Sequence, residues 1–547
     1  METTSQNAGR TGDPVADVLV IGAGPSGGMV THTLSQAGLN VICLEQGDWV
    51  TSSDFPTSRP EWELLIQKRW AHHPNERDVA ADYPTEVSES DISPVMYNAV
   101  GGSSLFFGAQ WPRLLPSDLK VLSLDGVAAD WPISYGELAH HYDIADQIVG
   151  VAGLGGNPAY PDGLDYPLPP HPLGPLGLTA ARGLNTLGWH WWPGTVAIPS
   201  TRFQELAQCE RWGTCEWGCP RGSKASADVA FWVHNLRSGA RLVTGARVRE
   251  ILVDSAGRAR GAAWVDRDGG EHEQTARAVV LCCNGIGTAR LLLNSASPLF
   301  PDGLANSSGQ VGRNLMLHPN ASVLGVYDDD MQSHRGPLGE ALVSLEFYET
   351  RTEHDFVRGV KFGAHPIPGV LNQVEFHRNL PFGQLWGPAI HDVVASHSRS
   401  FCYSGQIDDL PEETNQVTLD PELADSDGIP APKVRYRISD NSRRQLAFLV
   451  DRMDEAHRAA GAVRTVRLPL AADQPGHLLG TARMGADPAS SVVDPDCRAH
   501  DVPNLYIADG SVFVTGGAVN PTATIVALAH RVAQHLLANA GHQAAVA

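Results

Sequence analysis

Asp17 to Gln46 reads DVLVIGAGPSGGMVTHTLSQAGLNVICLEQ, and this stretch decides the fold. Val18 to Ile21 is an apolar run of strand length that delivers the chain into Gly22, Gly24 and Gly27, the spacing G-x-G-x-x-G. Gly22 permits the tight turn, Gly24 lets a pyrophosphate approach the backbone, and Gly27 lets the following helix lie close to the strand. Met29 to Gln36 reads as that helix, Gly38 stops it, and Asn40 to Leu44 is a second strand with Glu45 at its end. A carboxylate there accepts from a ribose diol and disfavours a 2′-phosphate. The glycine spacing alone is a weak signal in a chain with 55 glycines. Strand, helix, second strand and acidic residue in register together predict a dinucleotide site, without choosing between NAD and FAD.

At 547 residues the chain exceeds one ordinary domain, so two lobes are expected. Its 42% hydrophobic and 18% charged residues are those of a globular protein. Lys plus Arg number 40 against 61 Asp plus Glu, a net charge of −21 that disfavours nucleic acid and anionic membrane as partners. No apolar run reaches spanning length, and the N-terminus METTSQNAGRTGDPVAD lacks the apolar core of an export signal. Eight cysteines are too few for a disulfide scaffold, and a cytoplasmic location is expected.

Beyond the opening unit, residues 1–15 read as a disordered tail and Thr51 to Pro94 as an excursion with short helices. Val100 to Gly108, VGGSSLFFG, pairs Gly101 and Gly102 with Ser103 and Ser104, a turn suited to close passage along a flat or phosphorylated ligand. Ser134 with Glu137 is a capping-box pattern opening a helix to Val149. Leu178 to Leu187 is a further helix. Arg241 to Val253 and Ala259 to Asp266 alternate as strands, and Ala278 to Cys283 is a buried strand followed by a helix, Gly287 to Asn294. From Ser322 to Tyr436 strand-like runs alternate with Pro/Gly loops, which predicts a mostly antiparallel second lobe. Arg443 to Ala460 reads as a long amphipathic helix returning toward the nucleotide lobe, Asn504 to Ala508 as a buried strand, and Thr524 to Ala538 as a closing helix. The fold class is therefore α/β: a Rossmann-like lobe with a second, mostly antiparallel one.

The C-terminal region carries His477-Leu478-Leu479-Gly480-Thr481-Ala482-Arg483-Met484-Gly485, then Asn504 to Gly510, NLYIADG, then Asn520-Pro521-Thr522-Ala523-Thr524. With the opening unit and the Gly101 to Ser104 turn, these motifs resemble the glucose-methanol-choline family of FAD-dependent alcohol oxidoreductases. Within it the chain is most similar to pyranose oxidases and bacterial glycoside (C-glycoside) 3-oxidases. The resemblance implies an FAD-binding domain built from residues 16–120, 225–320 and 476–547. A substrate-binding domain and lid would come from 121–224 and 321–475. It also implies that Gly22, Gly24, Gly27 and Glu45 hold the adenosine diphosphate half. Gly101, Gly102, Ser103 and Ser104 would pass near the flavin, and the Val248 backbone would meet the adenine. Asp509 with Gly510 would contact the pyrophosphate or ribityl chain, with Pro521 and Thr522 under the isoalloxazine. Fungal pyranose oxidases tether FAD through a histidine after the paired glycines. Phe106 stands at the matching position, so noncovalent FAD is expected.

Oxidising an alcohol moves a proton from the hydroxyl and a hydride from its carbon. Hydride acceptance belongs to the flavin, and the chain must supply a base, orientation and a dry site. His477, a neutral imidazole near pH 7, is the expected base. Asn520 is the expected second active-site residue, its amide fixing the substrate oxygen without titrating. Pro366 to Pro388, with Phe376, Phe382 and Trp386 and little strand or helix pattern, reads as a lid, and His377 to Gly383 resembles the mobile substrate loop of pyranose oxidases. Aromatic faces and neutral hydrogen-bonding groups suit a sugar or glycoside. The expected reaction is thus oxidation of a ring hydroxyl at C2 or C3, with O2 as acceptor by the oxidase resemblance, or a quinone or dye. Alternatives are a lyase on the same fold, a noncatalytic FAD-fold protein and an NAD-linked dehydrogenase. Cys209, Cys215 and Cys219 lack the paired spacing of a zinc or iron–sulfur site, so packed thiols or one Cys–Cys pair are expected and no metal.

Overall fold

The computed structural model describes residues 15–378 and 387–546, with side chains described outside 375–378 and 540–546. The expected N-terminal tail, nearly all of the His377 to Gly383 segment, and the side chains of Phe376, Phe382 and Trp386 fall outside that description.

The opening unit forms as its apolar runs dictate. Ala16–Ile21 pairs in parallel with Val41–Glu45, in register from Val18 opposite Val41 to Ile21 opposite Leu44. Both strands are buried almost throughout, which is why they read as continuous apolar runs rather than alternating ones. The parallel order is Arg241–Thr244, Val41–Glu45, Ala16–Ile21, Glu271–Leu281 and Leu505–Ile507. Glu271–Leu281 belongs to two pairings: its first half runs antiparallel to Ala259–Val265, its second half parallel to Ala16–Ile21. The helix between the first two strands spans Pro25–Gln36, four residues earlier than the apolar pattern suggests. Pro25 opens it because proline at the first helical position lacks only an N–H that has no intrahelical partner anyway. The closing helix Thr522–Val546 lies against it and against Tyr135–Val149. The latter helix carries the expected capping box, with Ser134 Oγ accepting from Glu137 N and a Glu137 carboxylate oxygen accepting from Ser134 N at 2.7 Å.

The second lobe is a six-stranded sheet in the order Arg464–Leu468, Asn320–Val326, Ser400–Ile407, Val360–His365, Leu342–Ser344, Trp192–Pro193, antiparallel at every pairing. The long helix, Asp440–Ala459, does not return to the nucleotide lobe. It packs Leu446, Leu449, Val450, Met453 and Ala456 into one core with Val323, Phe401 and Tyr403 of this sheet. A periodic apolar face says that a helix is covered, not by which layer. Glu86–Ser90, inside the expected excursion, joins Gln416–Ala424 and Pro430–Tyr436 in a third sheet, while Trp62–Leu65 supplies a short helix there.

Within Pro366 to Pro388, the described residues hold more helix than the loop-like composition suggests. Val370–Arg378 and Pro388–Ala395 are helices. The first is opened from a distance: the Glu63 carboxylate accepts from the N–H groups of Val370, Leu371 and Asn372 at 2.7–3.2 Å. An acceptor so remote in sequence leaves no local capping signal.

Arg358 knits the lobes together. Fully buried, its guanidinium reaches Asp118 at 2.6 Å, Asp408 at 2.7 Å, Asp125 at 3.1 Å and Glu349 at 3.4 Å. Asp118 also accepts from Tyr348 Oη at 2.8 Å, and Tyr348 Oη accepts from Ala518 N at 2.9 Å. The segment leading to Asn520 therefore hangs on this buried charge cluster.

Candidate active site

One cavity of about 1120 Å³ gathers most of the expected residues. Gly22, Gly24, Glu45, Gly102, Ser103, Ser104, Val248, Asp509, Gly510, Pro521 and Thr522 line it together with His477 and Asn520. Gly27 and Gly101 stand behind the wall. A Cβ on Gly27 would lie 1.9 Å from Gly22 O, so the helix could not approach its strand with any larger residue. Gly101, at φ +102°, donates its N–H to Ala23 O at 2.9 Å and so ties the two glycine turns to each other.

This end of the cavity fits a dinucleotide. Gly24 faces open space where a Cβ would stand, and the Pro25–Gln36 helix has no side-chain cap, leaving its N-terminal amides for a pyrophosphate. Glu45 takes Ala23 N and Gly47 N at 2.8 Å each. Burial pushes its carboxyl up to about 7, against those two hydrogen bonds. Asp509 lines the cavity and also braces its own turn. One carboxylate oxygen accepts from Ser511 N and Oγ and the other from Thr288 Oγ1, so its first role is to brace the 509–511 turn.

At the other end, His477 is half-buried in the cavity wall, and desolvation there first, then His318, then Lys361, hold its imidazole well below the usual histidine range. It is a free base at pH 7. Its Nδ1 lies 3.0 Å from His318 Nδ1, with the rings near perpendicular. One of the two nitrogens must carry the hydrogen. For His477 to accept a proton on Nε2, its own Nδ1–H must donate to His318. His318 Nε2 then bears the remaining hydrogen against the Gly516–Gly517 turn. It makes no hydrogen bond of good geometry there, although both backbone groups raise its pKa against the burial that lowers it to about 4. A Cβ on Gly516 would lie 2.4 Å from that nitrogen.

The Asn520 side chain is locked in a network absent from the sequence reading. Lys361 Nζ donates to Asn520 Oδ1 at 3.0 Å and pairs with Glu340 at 2.8 Å. Asn520 Nδ2 donates to Gln110 Oε1 at 2.5 Å, and Gln110 Nε2 donates to Gly339 O at 2.8 Å and Glu340 Oε2 at 3.2 Å. Because Lys361 can only donate and the Gly339 carbonyl can only accept, both amide orientations are fixed. Asn520 keeps one N–H for an oxygen in the cavity. His318, Gln110 and Glu340 carried no readable signal. Lys361 did: a lysine in the buried strand VKFGAH has to be paired or functional.

Phe106 lies in an aromatic cluster, its ring centroid 4.3 Å from Tyr97, 5.4 Å from His72 and 6.2 Å from Trp70. Lys224, fully buried and lowered to about 8 by desolvation, donates to the carbonyls of Leu105, Phe107 and Cys215 and so clamps this turn. Cys209, Cys215 and Cys219 are free thiols, and among the described residues no group of three or more His, Cys, Asp or Glu is placed to hold a metal ion. No helix there is long and apolar enough to cross a membrane. Acid precipitation should release flavin to the supernatant, since phenylalanine cannot form the tether. Colour in the washed pellet would contradict this and make His72 the first residue to mutate.

Comparison with known proteins gives the family. The GMC oxidoreductase profile matches residues 196–320 and, in its C-terminal part, 411–529, and an FAD binding domain profile matches 15–55. The 2-methyl-1,2-propanediol dehydrogenase of Mycolicibacterium austroafricanum is 42% identical over 533 residues, 95% of either chain. The fructose dehydrogenase large subunit of Gluconobacter japonicus is 27% identical over 560 residues, covering 95% of this chain and 98% of that one. In fold, pyridoxine 4-oxidase from Mesorbium loti superposes with a TM-score of 0.62 at 18% identity, covering 95% of this chain and 99% of that one. This chain belongs to the GMC oxidoreductase family, as an FAD-dependent enzyme acting on the CH–OH groups of alcohols and sugars.

Proposed function

We propose that the enzyme oxidises one hydroxyl-bearing carbon of an uncharged polyhydroxylated substrate, a diol or a sugar, to a carbonyl. The observation that carries this reading is the pairing, in one cavity wall, of a neutral, half-buried imidazole with an amide whose donor direction is fixed. The Asn520 N–H holds the hydroxyl oxygen, and His477 Nε2 takes the hydroxyl proton. Gly22, Gly24, Glu45 and the Gly102 to Ser104 turn would hold FAD, which when bound supplies the hydride acceptor. The one lysine of this network is already engaged by Glu340 and Asn520, so it is not left free for a substrate carboxylate or phosphate. Relatives named for a 1,2-diol and for fructose support a polyol over a simple alcohol.

The narrower expectation, a C2 or C3 hydroxyl of a pyranose or its glycoside, is one member of this class. The test is anaerobic bleaching of the flavin by 1,2-diols, free hexoses, aryl O-glycosides and C-glycosides, with product NMR and with peroxide and quinone-dye turnover measured in parallel. We expect bleaching by diols or sugars and a carbonyl product. Bleaching by simple aliphatic or benzylic alcohols alone would remove the polyol assignment. An unchanged flavin with substrate consumed would point to a lyase.

A further inference from the structure

We propose that Asn320 and Gln406 form a hydroxyl-binding subsite that reads a second hydroxyl of the substrate; the inference rests on the polyol reading above. Three strands of the six-stranded sheet bring Lys361, Gln406 and Asn320 into one cross-strand row, Lys361 opposite Gln406 and Gln406 opposite Asn320. Cross-strand partners point to the same face of a sheet, and all three line the cavity. Lys361 is the end of the row that touches Asn520, so the other two residues extend away from the reacting hydroxyl at about 4.8 Å per strand. That step is comparable to the spacing between non-adjacent hydroxyls of a polyol or sugar ring.

What distinguishes the two amides is that they are unfinished. Asn320 Oδ1 and Gln406 Nε2 are both buried, and neither has a partner among the described protein groups. Gln406 is only 8% exposed. A buried amide acceptor and a buried amide donor left open side by side are costly unless a ligand completes them. A hydroxyl does so by itself, because it donates once and accepts through two lone pairs. An alkyl group at the same place would leave both amides unpaired, which discriminates against it more strongly than a missing contact would. The next row, Ser322 opposite Ser404, is already closed by its own 3.0 Å hydrogen bond, so it does not compete for that hydroxyl.

The experiment compares the holoenzyme with its Gln406→Met and Asn320→Leu variants, using a 1,3-diol, a hexose and the mono-alcohol of matching carbon skeleton. Flavin reduction is followed under anaerobic conditions. In the parent, kcat/KM should favour the polyhydroxylated compounds. In each variant that preference should fall by about 10-fold to 100-fold, the effect of one or two lost hydrogen bonds, with the mono-alcohol changing by less than about threefold. Equal losses on diol and mono-alcohol, or a preference that survives both substitutions, would overturn the subsite. A parent flavin that no polyol bleaches would instead overturn the reading on which it rests. A failed fold is recognised separately, by flavin content and by the mono-alcohol rate.

Discussion

His477→Ala should retain its flavin yet be reduced by substrate at least about 100-fold more slowly than the parent, the range for removal of a general base. Dithionite should still bleach it at the normal rate, which separates loss of the base from loss of the cofactor. The reason lies in how the site is built. His477 is held neutral by burial and by the nearby His318 and Lys361, so the parent should keep its base form on the acid side of neutrality, below the usual histidine value of 6.5. A methyl group cannot accept the proton, and the neighbouring His318 is turned toward the Gly516–Gly517 turn rather than into the same position. Asn520→Ala should act in the same direction by a smaller factor, since it removes orientation and leaves the base. Stopped-flow reduction of the two variants checks both expectations. Bleaching of the His477 variant as fast as the parent would place the base elsewhere.

Arg358→Met should destabilise the folded protein by about 3–5 kcal/mol, the usual cost of removing one partner from a buried ion cluster. Asp118 and Asp408 would be left buried without their counter-charge, and both carboxyls are already pushed up by burial. Denaturant unfolding followed by tryptophan fluorescence measures the effect. Flavin-reduction rate should fall as well, because the chain from Asp118 through Tyr348 to Ala518 positions the approach to Asn520. A midpoint unchanged from the parent would show that the charges are solvated in solution.

The parts of this molecule that were legible in its sequence are those specified by neighbours along the chain. Gly22, Gly24 and Gly27 with the strand before them, the capping box of Ser134 and Glu137, and the His477 and Asn520 motifs each carry their meaning within a few residues. What stayed hidden depends on distant pairings. Asn320 and Gln406 become a pair only when two strands align in register across 86 residues of chain, a non-local pairing that no local pattern announces. Asn320–Val326 itself was not read as a strand before Ser322, since it opens on a polar residue after His318-Pro319. The helix Val370–Arg378 escaped because its cap is Glu63, and the direction of the Asp440–Ala459 helix because periodicity names a face and not its partner.

The Glu63 clasp has a consequence for how this enzyme can diversify. Both sides of the clasp, the stretch around Trp62–Leu65 and the start of the Val370–Arg378 helix, contribute residues to the cavity. This part of the cavity wall and the His477 and Asn520 part are therefore supplied by separate pieces of chain. A directed-evolution library confined to residues 61–66 and 368–372 should change which molecules are admitted while leaving the proton-transfer pair intact.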